Sequence, residues 1–114
     1  MEFTHKVYEC LKSAEAVDGY EQFSTDWLKK HKGTMSYLIC KNRDMSLNAQ
    51  INCLKNIHAK ITEISNKDLK MNDFFSQNLL YLNQAKDLLD NNIQTKFKFG
   101  LKIIHQLSNS QFIQ

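Results

Sequence analysis

The sequence predicts an all-α fold: a helix-turn-helix bundle in the N-terminal half, followed by a C-terminal helical extension. Three observations predict it. Apolar residues recur every three or four positions in successive segments, which places them on one helical face each. There is no proline in the 114 residues and there are only three glycines, at 19, 33 and 100, so little forces a break inside a long segment. Between Tyr20 and Ile61, three apolar-periodic sets follow one another across brief polar breaks at 29–34 and 41–46. They are Phe23, Trp27 and Leu28; Met35 and Leu38; and Leu47, Ile51, Leu54 and Ile57. Two short helices across a turn, followed by a packing helix, is what a helix-turn-helix requires. Residues 1–64 are expected to form this unit, and 65–114 a helical pair appended to it.

Taken in order, the first helix is expected over 3–17. Phe3, Val7, Leu11 and Ala14 share one side with Cys10. Thr4 is a candidate cap, and Asp18-Gly19 the exit, with glycine supplying a left-handed turn. The second helix is expected from Tyr20 or Glu21 to Lys30, with Phe23 and Trp27 packing on the first. The third spans 34–41. The fourth starts at Ser46 as N-cap and runs to about Ile64, with Leu47, Ile51, Leu54, Ile57 or His58, and Ile61 facing inward. His58 reads as an ordinary, partly buried histidine. Ser65-Asn66-Lys67-Asp68 is a polar break. The fifth helix is expected over 72–89, with Phe75, Leu79, Leu82, Lys86 and Leu89 in one stripe, and Asp90-Asn91-Asn92 is a second break. Residues 93–112 fit either a helix or a strand. A lone strand has no partner elsewhere, so helix is preferred.

Residues 35–57 resemble the end of a phage-repressor-type helix-turn-helix. Met35-Ser36-Tyr37-Leu38 forms the apolar-Ser-x-apolar step. Lys41-Asn42-Arg43 is a basic loop, Ser46 precedes the closing helix, and 47–57 is that helix. A longer pattern is similar to a family of small uncharacterised proteins of bacteria, phages and mobile elements. It runs through Tyr8, Leu11, Lys12, Val17, Phe23, Ser24, Trp27, Leu28, Ser36, Tyr37, Leu38, Arg43, Ser46 and Ala49, over about residues 5–60. That resemblance implies a helix-turn-helix-like fold and no settled activity. The chain departs from it at Lys29, where the family usually has glycine. Lys41 stands where repressors usually place a small residue, which lengthens the turn.

Charge and spacing bound the chemistry. The net charge of +3, with a pI near 8.7, permits nucleic-acid binding without arguing for it, since dedicated binders are often more basic. Lys29, Lys30, His31 and Lys32 precede the 34–41 segment, and Lys41 and Arg43 follow it. In a repressor-like docking that segment reads the major groove. Lys29, Lys30, Lys32, Lys41 and Arg43 then meet phosphates, and Thr34, Ser36 and Tyr37 face base edges. Arg43 is the single arginine of the chain. Its planar fork suits guanine or phosphate better than a lysine does; the plainer reading is a loop cap, or pairing with Asp44 or Glu63. The C-terminal pair carries more apolar residues than one packing face needs. Phe75, Leu79, Leu82, Phe97, Leu101 and Ile104 are therefore candidates for a homodimer or partner interface, alongside simple packing onto the N-terminal half.

Enzyme signatures are not legible. The four histidines and three cysteines have no metal-ligand spacing, and the glycines are too scattered for a phosphate loop. No catalytic residue, metal or cofactor is expected. The first fifteen residues lack a secretory pattern and no apolar run is long enough to span a bilayer. The expected setting is a reducing cytoplasm, with no membrane partner and with Cys10, Cys40 and Cys53 as small core hydrophobes. The many Asn and Gln residues read as a trace of AT-rich coding DNA rather than as chemistry. The expected partners are duplex DNA, a second copy of the chain or, on an alternative reading as an interaction module, a host protein.

Overall fold

The computed structural model describes residues 1–67 and 73–96, with side-chain environments for 1–65 and 77–96. Every regular element among them is helical. They are α1 (Glu2–Ser13), α2 (Tyr20–Gln22, continuing into a wide helical turn over Phe23–Trp27), α3 (Thr34–Lys41), α4 (Leu47–Lys67) and α5 (Asp73–Lys96). α5 packs against both α1 and α4. One core joins the two halves of the chain: Val7 and Leu11 of α1, Cys53 and Ile57 of α4, and Leu82, Ala85, Leu89 and Ile93 of α5, all with no exposed surface. A fully buried Leu or Ile contributes about 1.5–3 kcal/mol, so this contact among three helices is a large stabilising term.

The helix exits depart from expectation. α1 stops at Ser13, not at residue 17. The Ala16 amide donates to the Leu11 carbonyl and the Glu15 amide to the Lys12 carbonyl, the double closure of a Schellman exit. Its left-handed residue is Glu15, at φ 57°. Gly19, expected in that role, is extended at φ 179°. α3 closes the same way, with Arg43 donating to Leu38, Asn42 donating to Ile39, and Asn42 at φ 51°. Asn adopts this region readily, whereas Glu15 is strained in it. α2 ends earlier than Lys30. The Leu28 amide reaches five residues back to Phe23 and the Lys30 amide six back to Ser24, leaving Lys29 left-handed at φ 57°. Lys29 is therefore where glycine would fit without strain.

The C-terminal half also differs. α4 extends to Lys67, through the predicted break at 65–67. His58 is exposed, and the inward face is rotated to Ala49, Gln50, Cys53, Leu54 and Ile57, with Leu47 and Ile61 partly buried. Ile51 lies at the edge of this face, half-buried. The Asp90-Asn91-Asn92 break does not occur. Lys86 pairs with Asp90 at 3.5 Å, Thr95 donates to the Asn91 carbonyl at 2.7 Å, and Asn92 donates to Gln50 at 2.9 Å. These partners, with buried Ile93 one residue on, override the weak local helix propensity. Ala85, not Lys86, continues the buried stripe. Residues 93–96 are helical; the helix-or-strand choice for 97–112, and the break at Asp68, lie outside the described residues.

One polar tie closes the N-terminal end. Thr4 is not the cap of α1 but its third residue. Asp44, forty positions away, takes the capping role: one carboxylate oxygen accepts from the Thr4 amide (3.0 Å), the Thr4 hydroxyl (2.9 Å) and the Met1 amine (2.9 Å). The Thr4 hydroxyl in turn accepts from the Met45 amide at 2.9 Å. Among the described residues, no buried side-chain polar atom lacks a partner. Burial pushes the Asp44 carboxyl up, but the Thr4 amide, the terminal amine and the Thr4 hydroxyl together outweigh it and hold the group below the ordinary carboxylate range.

Two outcomes follow for stability. Lys29→Gly removes left-handed strain at the cost of extra freedom in the unfolded chain, for a net gain of about 0.5–1 kcal/mol; thermal melting reads this as a raised Tm, and a lowered Tm contradicts it. A depressed folded-state pKa makes Asp44 stabilising above its unfolded value of about 4, and that contribution is lost as pH falls through the lower folded value. Asp44→Ala therefore lowers stability at neutral pH by about 1–2 kcal/mol and shrinks the loss of stability below about pH 4. Parallel denaturation curves of the two proteins across pH 2–7 would contradict this.

Candidate nucleic-acid interface

The 34–41 helix forms as expected, and its placement depends on Ser24. This fully buried serine donates from Oγ to the Tyr20 carbonyl and accepts the Met35 amide, both at 2.9 Å. It pins the start of α3 to the wide turn after α2. Met35 and Leu38 then anchor one side of α3 in the core at 0% and 7% exposure. Phe23 meets Tyr8 edge-on at 5.3 Å between ring centroids, which fixes the α2 segment on α1. With Met35 and Leu38 facing inward, helical spacing turns Ser36, Tyr37 and Cys40 outward. All three are exposed, Tyr37 at 52%.

Of the predicted contact residues, Ser36, Tyr37, Lys29, Lys32, Lys41 and Arg43 are exposed. Thr34 is half-buried, and its amide closes the turn on the His31 carbonyl at 2.9 Å. Lys30 is half-buried and engaged, its ammonium donating to Asn48 Oδ1 at 2.7 Å. Lys29, Lys32, Lys41 and Arg43 have no ion-pair partner among the described residues. Asp44 is committed to Thr4 and the terminal amine rather than to Arg43. An eight-residue helix is about 12 Å long, so cations without an ion-pair partner stand at both ends of a short helix with one exposed face.

Sequence reasoning missed how the turn into α3 is held. Asn48, Asn52 and Asn56 fall four apart on α4 and face the end of the α2 segment. Asn56 donates to the carbonyls of Asp26 (3.2 Å) and Trp27 (3.1 Å), and Asn52 donates to that of Leu28 (2.9 Å). Carbonyls at a helix end have no partner of their own, and these amides supply one. The signal was the four-residue period, which a coding-bias reading of the asparagines discarded.

Among the proposed interface residues, Leu82 lies fully inside the chain's own core and Leu79 is half-buried. The side chain of Phe75, and residues Phe97, Leu101 and Ile104, lie outside the described residues. Among the described residues of α5, Leu80 is the large apolar side chain presented outward, 55% exposed. Among the described residues there is no group of three or more metal-ligating side chains, and no helix is long and apolar enough to cross a membrane.

The cysteines are not all core residues. Cys53 is buried, Cys10 half-buried and Cys40 exposed on α3. Burial pushes the Cys53 thiol far above its usual range, and burial followed by the Glu9 charge raises Cys10. A thiol reagent under native conditions is expected to label Cys40 first, Cys10 slowly, and Cys53 only on unfolding; mass spectrometry showing Cys53 labelled as fast as Cys40 would contradict the burial of Cys53 on the inner face of α4.

No curated protein and no solved structure matches the chain. A family match covers residues 4–99, across both predicted halves. The chain therefore belongs to a family of unknown function (DUF6626).

Proposed function

We propose that this protein is a small DNA-binding regulator or accessory factor, with α2 and α3 as a repressor-like helix-turn-helix and α3 as the helix that enters the major groove. The observation that carries the reading is the exposed outer face of α3 with partner-free cations at both its ends. A major groove about 12 Å wide accepts one helix. Lys29 and Lys32 lie on the turn before α3, and Lys41 and Arg43 at its far end; each meets a phosphate, with Arg43 able to use both arms of its fork. Ser36, Tyr37 and Cys40 face the base edges, and Thr34 stands at the groove-side start of the helix. Lys30 contributes only by releasing Asn48. The phage or mobile-element setting, and a two-fold dimer reading two half-sites about 34 Å apart, belong to the same proposal.

A second reading has its own support. Tyr37, Ile39 (40% exposed) and Leu80 are large apolar side chains on the surface, which suits a helix-turn-helix-shaped module that binds a host protein instead of DNA.

Fluorescence anisotropy on mixed-sequence duplexes separates the two readings. With four to five phosphate contacts, log affinity falls against log salt with a slope of roughly −3.5 to −4.5. Lys32→Glu with Arg43→Glu abolishes binding and leaves Tm nearly unchanged, because both residues lie outside the core. No binding at low salt, or binding indifferent to salt, overturns the DNA reading. A nuclease-resistant protein complex that tolerates the same double reversal supports the second.

A further inference from the structure

We infer that the Thr4–Asp44 clasp is a positioning device for Arg43, holding the basic loop after α3 in the shape that meets a phosphate. The inference rests on the DNA-binding reading and names a residue within that site that does not itself touch the ligand. Arg43 is exposed and has no ion-pair partner among the described residues, yet the backbone on both sides of it is fixed. Its own amide donates to Leu38 at 2.9 Å, and Asn42 before it is locked in the left-handed region. Asp44 after it is bound to the start of α1 through the Thr4 amide and hydroxyl. The Met45 amide donates to the fully buried Thr4 hydroxyl, and the Met45 carbonyl accepts from the buried Gln50 amide at 3.1 Å. A loop with no regular structure is thus tied to α1, α3 and α4 within four residues.

The clasp also disposes of a charge. Asp44 is the carboxylate nearest in sequence to Arg43, and an unoccupied carboxylate there would neutralise it. Three donors on one Asp44 oxygen turn it toward α1 instead. The arginine stays available and its loop is ordered before any ligand arrives, so the ordering cost does not fall on binding.

Two substitutions separate geometry from charge. Asp44→Asn and Asp44→Ala both delete the negative charge beside Arg43, but only Asp44→Ala deletes the acceptor, since asparagine caps helices as well as aspartate does. Binding is measured on a mixed-sequence duplex at 50 mM salt, well below the melting midpoint of each variant. Asp44→Asn is expected to bind at least as tightly as the native chain, and Asp44→Ala about five- to tenfold more weakly than Asp44→Asn, the loss expected when a contact-bearing loop must be ordered on binding. The Asp44→Ala salt slope is shallower by about one, as for a lost phosphate contact. Equal affinities for the two variants, or tighter binding by Asp44→Ala, overturn the inference while the DNA reading stands. A native chain that binds no duplex overturns both. If Asp44→Ala does not fold, Thr4→Val against Thr4→Ser gives the same comparison: weaker binding by Thr4→Val with rescue by Thr4→Ser supports the clasp, and equality overturns it.

Discussion

A helix of eight residues does not hold itself together in water. Nucleating its first turn is unfavourable, and so short a segment adds too few hydrogen bonds to recover that cost. α3 exists because its surroundings impose it. Ser24 accepts its second amide, Met35 and Leu38 are drawn into the core, and Asn42 closes its far end. Much of the N-terminal half is a frame for this one element. α1 supplies the aromatic seat for α2 through Tyr8, α4 supplies the asparagine donors behind the turn, and α5 closes the core beneath α1 and α4.

Much of that frame is legible in the sequence because it rests on periodicity. Val7 with Leu11, Phe23 with Trp27, and Met35 with Leu38 are spaced as helical faces, and all are buried. Ser46 caps α4 as its residue type suggests, accepting the Ala49 amide at 3.2 Å. Contacts that join distant positions are not legible in the same way. Nothing near Thr4 points to Asp44, and nothing near Asn92 points to Gln50, because a capping or bridging partner forty residues away leaves no local pattern. The break at Asp90-Asn91-Asn92 is misplaced because a polar run has weak helix propensity, and here the Asn92–Gln50 bond and buried Ile93 outweigh it.

The candidate site shows the same division. Exposure of Ser36 and Tyr37 follows from the spacing of Met35 and Leu38, so the outer face was readable. Which cations are free was not, because that depends on partners. Lys30 is drawn to Asn48 while Lys32 and Arg43 are not paired. Cys40 departs from expectation for a related reason: a residue type that is usually interior sits one turn beyond two outward positions. The uncharged polar residues most numerous in the chain, its asparagines, serve as scaffold here. Asn52 and Asn56 satisfy backbone carbonyls that would otherwise need water.

Gln50 gives the architecture a mechanical property. Its buried amide is occupied at both ends, with the nitrogen on the Met45 carbonyl and the oxygen on the Asn92 side chain. α5 and the segment just beyond α3 therefore share a single rigid strut. An ångström of sliding along α5 at Asn92 must either drag that segment with it or break one of the two hydrogen bonds on the buried Gln50 amide. A shift of α5 at Asn92 is therefore felt at Met45, and by thermodynamic reciprocity a load on the loop after α3 is returned to α5 with equal free energy.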